Sequence, residues 1–383
     1  MIVGIDATNL NEGGGLTHLV EILSNVNIEK HNISKVVIWG REKTLSQIHN
    51  FSWLKKISPK QLTRNLFSRL LWQKYKLSLS AKENNCDLIF SPGSIFLSNF
   101  RPFVTMSQNM LPFESNEAKK YGLSLKGIRL IILRQIQSHT FKSSQGVIFL
   151  TNYAKERVIK VLGQISSSTA IIPHGVSPRF CIPPKEQFDK SEYSFSSPFK
   201  ILYVSIIDHY KHQWNVVEAV AKLRKEGYPV VVNFFGLSYL PAKKRLEKCI
   251  SKFDANGEWA KYHGSAPYLE LHNIYNDANL GVFASSCENL PIILLEKMAS
   301  GLPIACSEKG PMPEILGNNG TYFNPEEPDE IYHSMKKIID NVQLRSDYSN
   351  ASFEKAQNYT WDACALETFL FLEEVFVNYR KSA

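Results

Sequence analysis

The chain is 383 residues long, 44% hydrophobic and 21% charged, with a formal net charge of +8. Such values belong to a globular protein that buries a sizeable core; they exclude a disordered or low-complexity chain, and the length suits about two domains. The positive surplus fits an anionic partner such as phosphate, nucleic acid or an acidic membrane surface, although a plain excess of surface lysine gives the same number.

Residues 2–6 read as a first strand rather than as part of a charged and then apolar leader, and no stretch has the length of a membrane-spanning helix. Gly13, Gly14 and Gly15 follow as a loop, and then Leu19, Val20 and Leu23 have helical spacing. Buried-type strands recur at 35–39, 87–90, 103–106, 146–150 and 170–172, with helical stretches between several of them. Four prolines at 178, 183, 184 and 198 mark a break, expected as a linker over 179–198. The pattern restarts with strands at 200–204, 230–235, 280–283 and 302–305. Helices are expected at 216–226, near 292–300, at 329–341 and at 361–379. Alternating strands and helices predict α/β halves with parallel sheets covered on both faces, one over 1–178 and one over 199–364. Ligands of such sheets bind beyond the carboxyl ends of the strands.

Six scattered cysteines form no CxxC pair and no zinc-like spacing with histidine. Neither a disulfide framework nor a structural metal is expected, and reduced thiols fit a cytoplasmic chain. The glycine run lacks GxGxxG spacing, so a dinucleotide fingerprint is unsupported. It can bring backbone N–H groups to an anion, or serve as a tight turn.

The strongest local signal is the stretch from Cys287 to Ile304, which follows a strand and leads into a helix. Glu288 stands in its loop and Glu296 in its helix. A carboxylate can accept two hydrogen bonds from vicinal hydroxyls, as on a ribose; near a helix start it can equally complement the dipole. The segment resembles the E-x7-E motif of the retaining glycosyltransferases of family 4, whose pattern runs roughly S-x-x-E, P, L-E-A-M-A-x-G-x-P-V. Here Ser285 to Glu288, Pro291, Leu295-Glu296-Lys297-Met298-Ala299-Ser300-Gly301 and Pro303-Ile304 carry the likeness. Gly310, Pro313 to Leu316 and Gly320 extend it, and it is sharp over about residues 270–325.

The resemblance implies the GT-B fold, two Rossmann-like domains with parallel sheets facing across a cleft, the last helix (about 365–383) packing back on the first. It implies that Glu296 binds the ribose and Glu288 the donor sugar or its phosphate. Asn289, Leu290, Pro291 and Ile292 would lie near the diphosphate, with Gly14 and Gly15 as further donor contacts. Asn289-Leu290-Pro291 replaces the family's frequent Gly-Phe-Gly, which bears on the identity of the sugar. The stretch from Tyr203 to His212 resembles the family's V-G-R-L to K-G segment, with Lys211 matching the phosphate-binding lysine and Ile206 in place of the usual arginine. His209 and His212 are further candidates for that phosphate. Residues 104–112 resemble its V-H-D-x-x-P stretch, with Gln108 and Asn109 in the histidine and aspartate positions. Neither amide is a general base at neutral pH, so both are expected to orient an acceptor hydroxyl. Pro173-His174-Gly175-Val176 resembles the segment that ends the family's first domain, which puts His174 on the acceptor side; a structural role for a lone histidine is the equal alternative.

The implied reaction moves a sugar, with retention, from a UDP- or GDP-linked donor to a glycan hydroxyl, Glu288, Lys211 and Asn109 being the catalytic candidates. An acceptor on undecaprenyl diphosphate, in O-antigen, lipopolysaccharide or capsule assembly, follows from the same likeness. No DxD triplet occurs, so no metal or other cofactor is expected. Residues 53–76 carry Lys55, Lys56, Lys60, Arg64, Arg69, Lys74 and Lys76 among apolar residues, with Leu62, Leu66, Phe67, Leu70 and Leu71 on one helical face. Residues 119–142 form a similar segment. Such faces pack on a core or lie on an anionic inner membrane. A nucleotide-sugar epimerase on the same scaffold, or a non-catalytic nucleotide or anion binder, are the rival readings. Nucleic acid is not an expected partner, as no nucleic-acid motif is present.

Overall fold

A computed structural model describes residues 1–10 and 13–382, which divide into two compact units. The first comprises Met1–Gly175 with Thr360–Ala383, the second Val176–Tyr359. In the first unit, seven parallel strands are β1 (Ile2–Asp6), β2 (Lys35–Trp39), β3 (Leu54–Ile57), β4 (Leu88–Ser91), β5 (Phe103–Met106), β6 (Gly146–Phe149) and β7 (Ser168–Ile171). Their spatial order is β3-β2-β1-β4-β5-β6-β7. In the second, β8 (Phe199–Val204), β9 (Val230–Phe235), β10 (Ala260–Tyr262), β11 (Leu280–Phe283), β12 (Ile304–Ser307) and β13 (Thr321–Phe323) are ordered β10-β9-β8-β11-β12-β13. Every ladder is parallel. Strands buried on both faces explain the continuous apolar runs in the sequence. The strand order reverses once in each sheet, between β1 and β4 and between β8 and β11, which is where open α/β sheets place ligands.

The strands absent from the sequence reading are β3, β10 and β13, and all three lie at sheet edges. β3 is Leu-Lys-Lys-Ile, an edge blunted by charge, and β10 and β13 have three residues each. The expected single basic helix across 53–76 is in fact β3, a 3-10 turn (Lys60–Thr63) and a helix over Leu66–Tyr75. Asn65 starts that helix by accepting from the Ser68 N–H at 2.9 Å. Leu62 therefore does not share a helical face with Leu66 and Phe67: it is buried in the turn, while they are 54% and 69% exposed.

Residues 179–198, read as a linker, run across the second unit and belong to it. The Ile182 N–H donates to the Ala299 carbonyl at 3.0 Å. The buried Arg345 guanidinium donates to the carbonyls of Phe188 and Ile339. The prolines there stiffen a packed strap. The helix Trp361–Ser382 returns to the first unit, where a Cβ on Gly146 would lie 2.8 Å from Val375 Cγ2.

Candidate functional site

At the switch point of the second sheet, the loop after β8 meets the loop after β11. Gly236, at the end of β9, shapes the first of these: its φ is +146°, and a Cβ there would stand 2.0 Å from the Ser205 carbonyl oxygen. Only glycine lets β9 pass so close. Downstream, Asp208 accepts from the His209 N–H at 2.8 Å and the Tyr203 hydroxyl donates to the Lys211 carbonyl at 2.7 Å. His212 then holds a left-handed conformation (φ +49°), an uncommon one for a residue with a side chain. Its Nε2 is 2.9 Å from Ser286 Oγ, and the Ser286 N–H donates to the Tyr210 carbonyl at 2.8 Å. Two loops from adjacent strands are thereby tied together.

That tie joins Lys211 to Glu288. The lysine ammonium donates to Glu288 Oε1, which also accepts from Ser285 Oγ at 2.5 Å. Lys211 is buried and Glu288 half-buried. The Lys211 ammonium also lies 4.9 Å from the centre of the Phe283 ring. Asn289, Leu290 and Pro291 are buried, Ile292 is half-buried, and Pro291 precedes the helix Ile292–Ala299. Glu296 faces elsewhere in the same unit: its Oε2 accepts from the Tyr275 hydroxyl at 2.9 Å. Burial raises its carboxyl to about 7, offset in part by the Tyr275 hydroxyl and by Lys297. Burial conversely lowers the neighbouring Lys297 to about 7. A carboxylate and a buried ammonium beside an ion pair form an arrangement suited to hydroxyls at one end and phosphate charge at the other.

The remaining candidates lie in the first unit. Gly14 and Gly15 open the helix Gly14–Asn25 rather than forming a loop, with Gly13 (φ +77°) as its N-cap. A Cβ on Gly15 would stand 2.4 Å from Gln108 Oε1, so this glycine makes room for that amide. Asn109 is exposed and accepts from the Leu111 N–H at 3.1 Å. His174 is enclosed in the fold. It is 4% exposed, its Nδ1 3.0 Å from that of His18, beside the Trp361 ring. Burial lowers His174 to about 3 and His18 well below its ordinary value, so both imidazoles are neutral. Cys364 Sγ lies 3.9 Å from His18 Nδ1, making this a cluster with metal-ligating atoms. His18 Nε2 is buried without a partner, however, whereas a metal-bound imidazole almost always donates its second N–H.

The structure thus brings Lys211, Glu288 and the Asn289–Ile292 stretch into one unit with Glu296, and joins Gly15 to Gln108. Sequence reasoning missed Ser285, Ser286, Tyr275 and Lys297 as parts of the site. The available signal was Lys297 itself, a cation inside the apolar run from Pro291 to Met298.

Two parallel-sheet α/β units with these strand orders define the GT-B class, and solved structures of that class match nearly the whole chain. Sucrose-phosphate synthase from Thermosynechococcus elongatus gives a TM-score of 0.78 at 15% identity, covering 99% of this chain and 100% of that one. The Anabaena protein HepE, in complex with UDP and glucose, gives 0.71 at 15% identity, covering 98% and 100%. Residues 184–355 match the family of group 1 glycosyl transferases, so the second unit carries a domain of that type. Among curated proteins, O-antigen chain mannosyltransferase B of Escherichia coli is 22% identical over 229 residues, 59% of this chain and 57% of that protein. The chain spans about half the length of several curated relatives it matches.

Proposed function

We propose that the chain is a retaining glycosyltransferase of family 4 that moves a sugar from a UDP- or GDP-linked donor to a glycan hydroxyl. The observation that carries this reading is the Lys211–Glu288 pair at the β8/β11 switch point, in the unit with the group 1 domain. In this reading the donor diphosphate takes Lys211, and Glu296 accepts from the ribose hydroxyls. Glu288, oriented by Ser285, faces the sugar. The bond from the anomeric carbon to phosphate breaks and the bond to the acceptor oxygen forms on the same face. The acceptor proton passes to the departing phosphate oxygen, so no side-chain base is needed. Stabilising the leaving charge is then the main electrostatic task, which falls to Lys211 and the N–H groups at the start of the helix Ile292–Ala299. Gln108 and Asn109 orient the acceptor. No metal takes part, and chelator leaves the rate unchanged.

The acceptor is lipid-linked in this proposal, an undecaprenyl-diphosphate glycan of surface polysaccharide assembly; the name of the mannosyltransferase relative supports that choice. So does the first unit's surface. Between Glu42 and Glu83 there are nine Lys or Arg and no Asp or Glu; between Glu117 and Glu156 there are seven and none. Phe67, Leu71, Ile128, Ile131 and Ile132 are exposed on helices within these runs. The two helices flank one loop: Gln73 donates to the Ile95 carbonyl and Thr140 accepts from the Phe96 N–H. A basic, apolar surface of this kind suits an anionic bilayer. Among the described residues no helix is long and apolar enough to cross a membrane.

A thermal-shift and transfer panel of UDP- and GDP-sugars tests the reading. At least one donor should stabilise the wild type and give a transfer product; stabilisation by none would sink it. Interconversion of free nucleotide-sugars would favour the epimerase rival, and binding without turnover the non-catalytic one.

A further inference from the structure

Lys297 lies in the helix Ile292–Ala299, where every residue from Leu294 onward is buried, and it is itself inaccessible to solvent. Its stem crosses the sheet over Gly281, where a Cβ would stand 3.1 Å from Lys297 Cδ. The ammonium reaches the carboxyl end of β8 and donates to the Val204 carbonyl at 3.3 Å. The rings of Phe283, Tyr275 and Tyr203 surround it, with centroids 5.1, 5.7 and 5.9 Å away. Among the described residues it makes no ion pair.

An unpaired ammonium is expensive to bury, and methionine would fill the same space at lower cost. Its position says what the charge is for. Lys211 and Lys297 contact the same Phe283 ring, 4.9 and 5.1 Å from its centroid, so the two ammonium groups lie at most about 10 Å apart. Lys211 is neutralised by Glu288; Lys297 has no such partner. An anion bound at Lys211 therefore acts on Lys297 through protein rather than water, where charges are felt strongly.

We infer that Lys297 is a proton-accepting amine built into the anion site, so that seating a nucleoside-diphosphate sugar against Lys211 draws a proton from solvent onto it and makes it a cation. This rests on the nucleotide-sugar reading above. The amine lone pair takes the proton from water or buffer, and no bond of the donor breaks. The groups around it are Glu296 beside it on the helix, Lys211 and Glu288 on the loops, and Cys306 on β12, with the phenols of Tyr203 on β8 and Tyr275 on the helix Leu271–Asp277. Burial holds Lys297 down to about 7; Glu296 opposes that shift and Lys211 adds to it. At neutral pH the empty site thus leaves the amine partly unprotonated, and a bound diphosphate raises its proton affinity. Glu296, raised to about 7, is the other group able to take a proton, and the variants separate the two.

The test is calorimetric titration of the full chain with UDP-glucose and GDP-mannose, from pH 7 to 8, in two buffers of different ionisation enthalpy. Nucleotide-sugars serve as probes because their phosphates do not titrate in this range. The wild type should take up about half a proton near pH 7.5, the most that a tenfold coupling to an amine held at about 7 allows. Lys297→Met should take up none and bind about tenfold more weakly, the scale of a charge interaction across about 10 Å of protein. Glu296→Gln should keep the uptake. Uptake that survives in Lys297→Met, or is lost in Glu296→Gln alone, overturns the inference. So does a wild type that binds donor without uptake. A wild type that binds neither donor overturns the nucleotide-sugar reading itself. If Lys297→Met does not fold, the wild-type pH series decides. Affinity should weaken above about pH 7 by about threefold per unit and about tenfold in all, and a flat profile to pH 9 overturns the proposal.

Discussion

Both units hold a parallel sheet whose strand order reverses once, yet the first carries 24 Lys and Arg against 14 Asp and Glu, and the second 20 against 22. The first unit keeps its cations on the surface, in long runs without a carboxylate. It buries no lysine or arginine among its described residues, and its buried His18–His174 pair against Trp361 is neutral. The second unit has no net positive charge to offer, but it buries ions: Lys211 with Glu288, and Glu296 beside Lys297. One scaffold therefore handles anions in two ways, by a diffuse field outside and by a few desolvated groups inside. A diffuse field attracts any polyanion and fades with salt, whereas buried groups act on one ligand at close range.

The largest test of this contrast falls on the buried pair. Lys211→Met should lower the transfer rate about 10²- to 10³-fold, the scale of removing a donor that stabilises leaving charge. Steady-state kinetics on a variant of native thermal stability reads this, and an unchanged rate would remove Lys211 from the mechanism. Next comes acid. His18 and His174 are held neutral in the fold but take protons in the unfolded chain below about 6.5, so the unfolded state binds more protons as pH falls from there toward 3. Stability of the first unit should then fall by up to about 2.7 kcal/mol per pH unit, two groups at about 1.36 each. Glu296 works in the opposite sense. Its folded value, about 7, lies above its unfolded one near 4.5, so its contribution is complete below 4.5 and is lost as pH rises toward 7. Hydrogen exchange at pH 5 should accordingly show the first unit opening before the second; the reverse order contradicts the contrast. The smallest effect is on the surface. Each neutralisation among Lys74, Lys126 and Arg129 should weaken binding to anionic vesicles about fivefold, near 1 kcal/mol per cation, with neutral vesicles unaffected. Flotation that ignores both lipid charge and these substitutions would leave the basic surface without a membrane role.

The central strands were legible because burial on both faces demands apolar runs, as in Lys35–Trp39 and Phe199–Val204. The edge strands β3, β10 and β13 were not, since an edge needs no such run and gains from lysine. Glu288 and Glu296 could be picked out because one short segment carries both and resembles the family's motif, and Lys211 because a separate short segment does the same. Lys297 was passed over although it interrupts an apolar run, because a lysine in a helix reads as solvent-facing until the sheet it packs on is known. The setting of His174 was illegible for a related reason. Its partner His18 lies 156 positions away and its neighbour Trp361 comes from the far end of the chain, so no window of sequence shows the pocket that closes over it.

The helix Trp361–Ser382 has a consequence for how the molecule is made. The first unit needs it to cover Gly146, His18 and His174, but the ribosome delivers it only after the second unit, Val176–Tyr359, has been synthesised. The second unit is continuous and can fold while translation proceeds; the first, although begun earlier, must wait with part of its core uncovered. The order of synthesis is thus the reverse of the order of completion, and a nascent chain halted before Trp361 would leave the first unit dependent on chaperones.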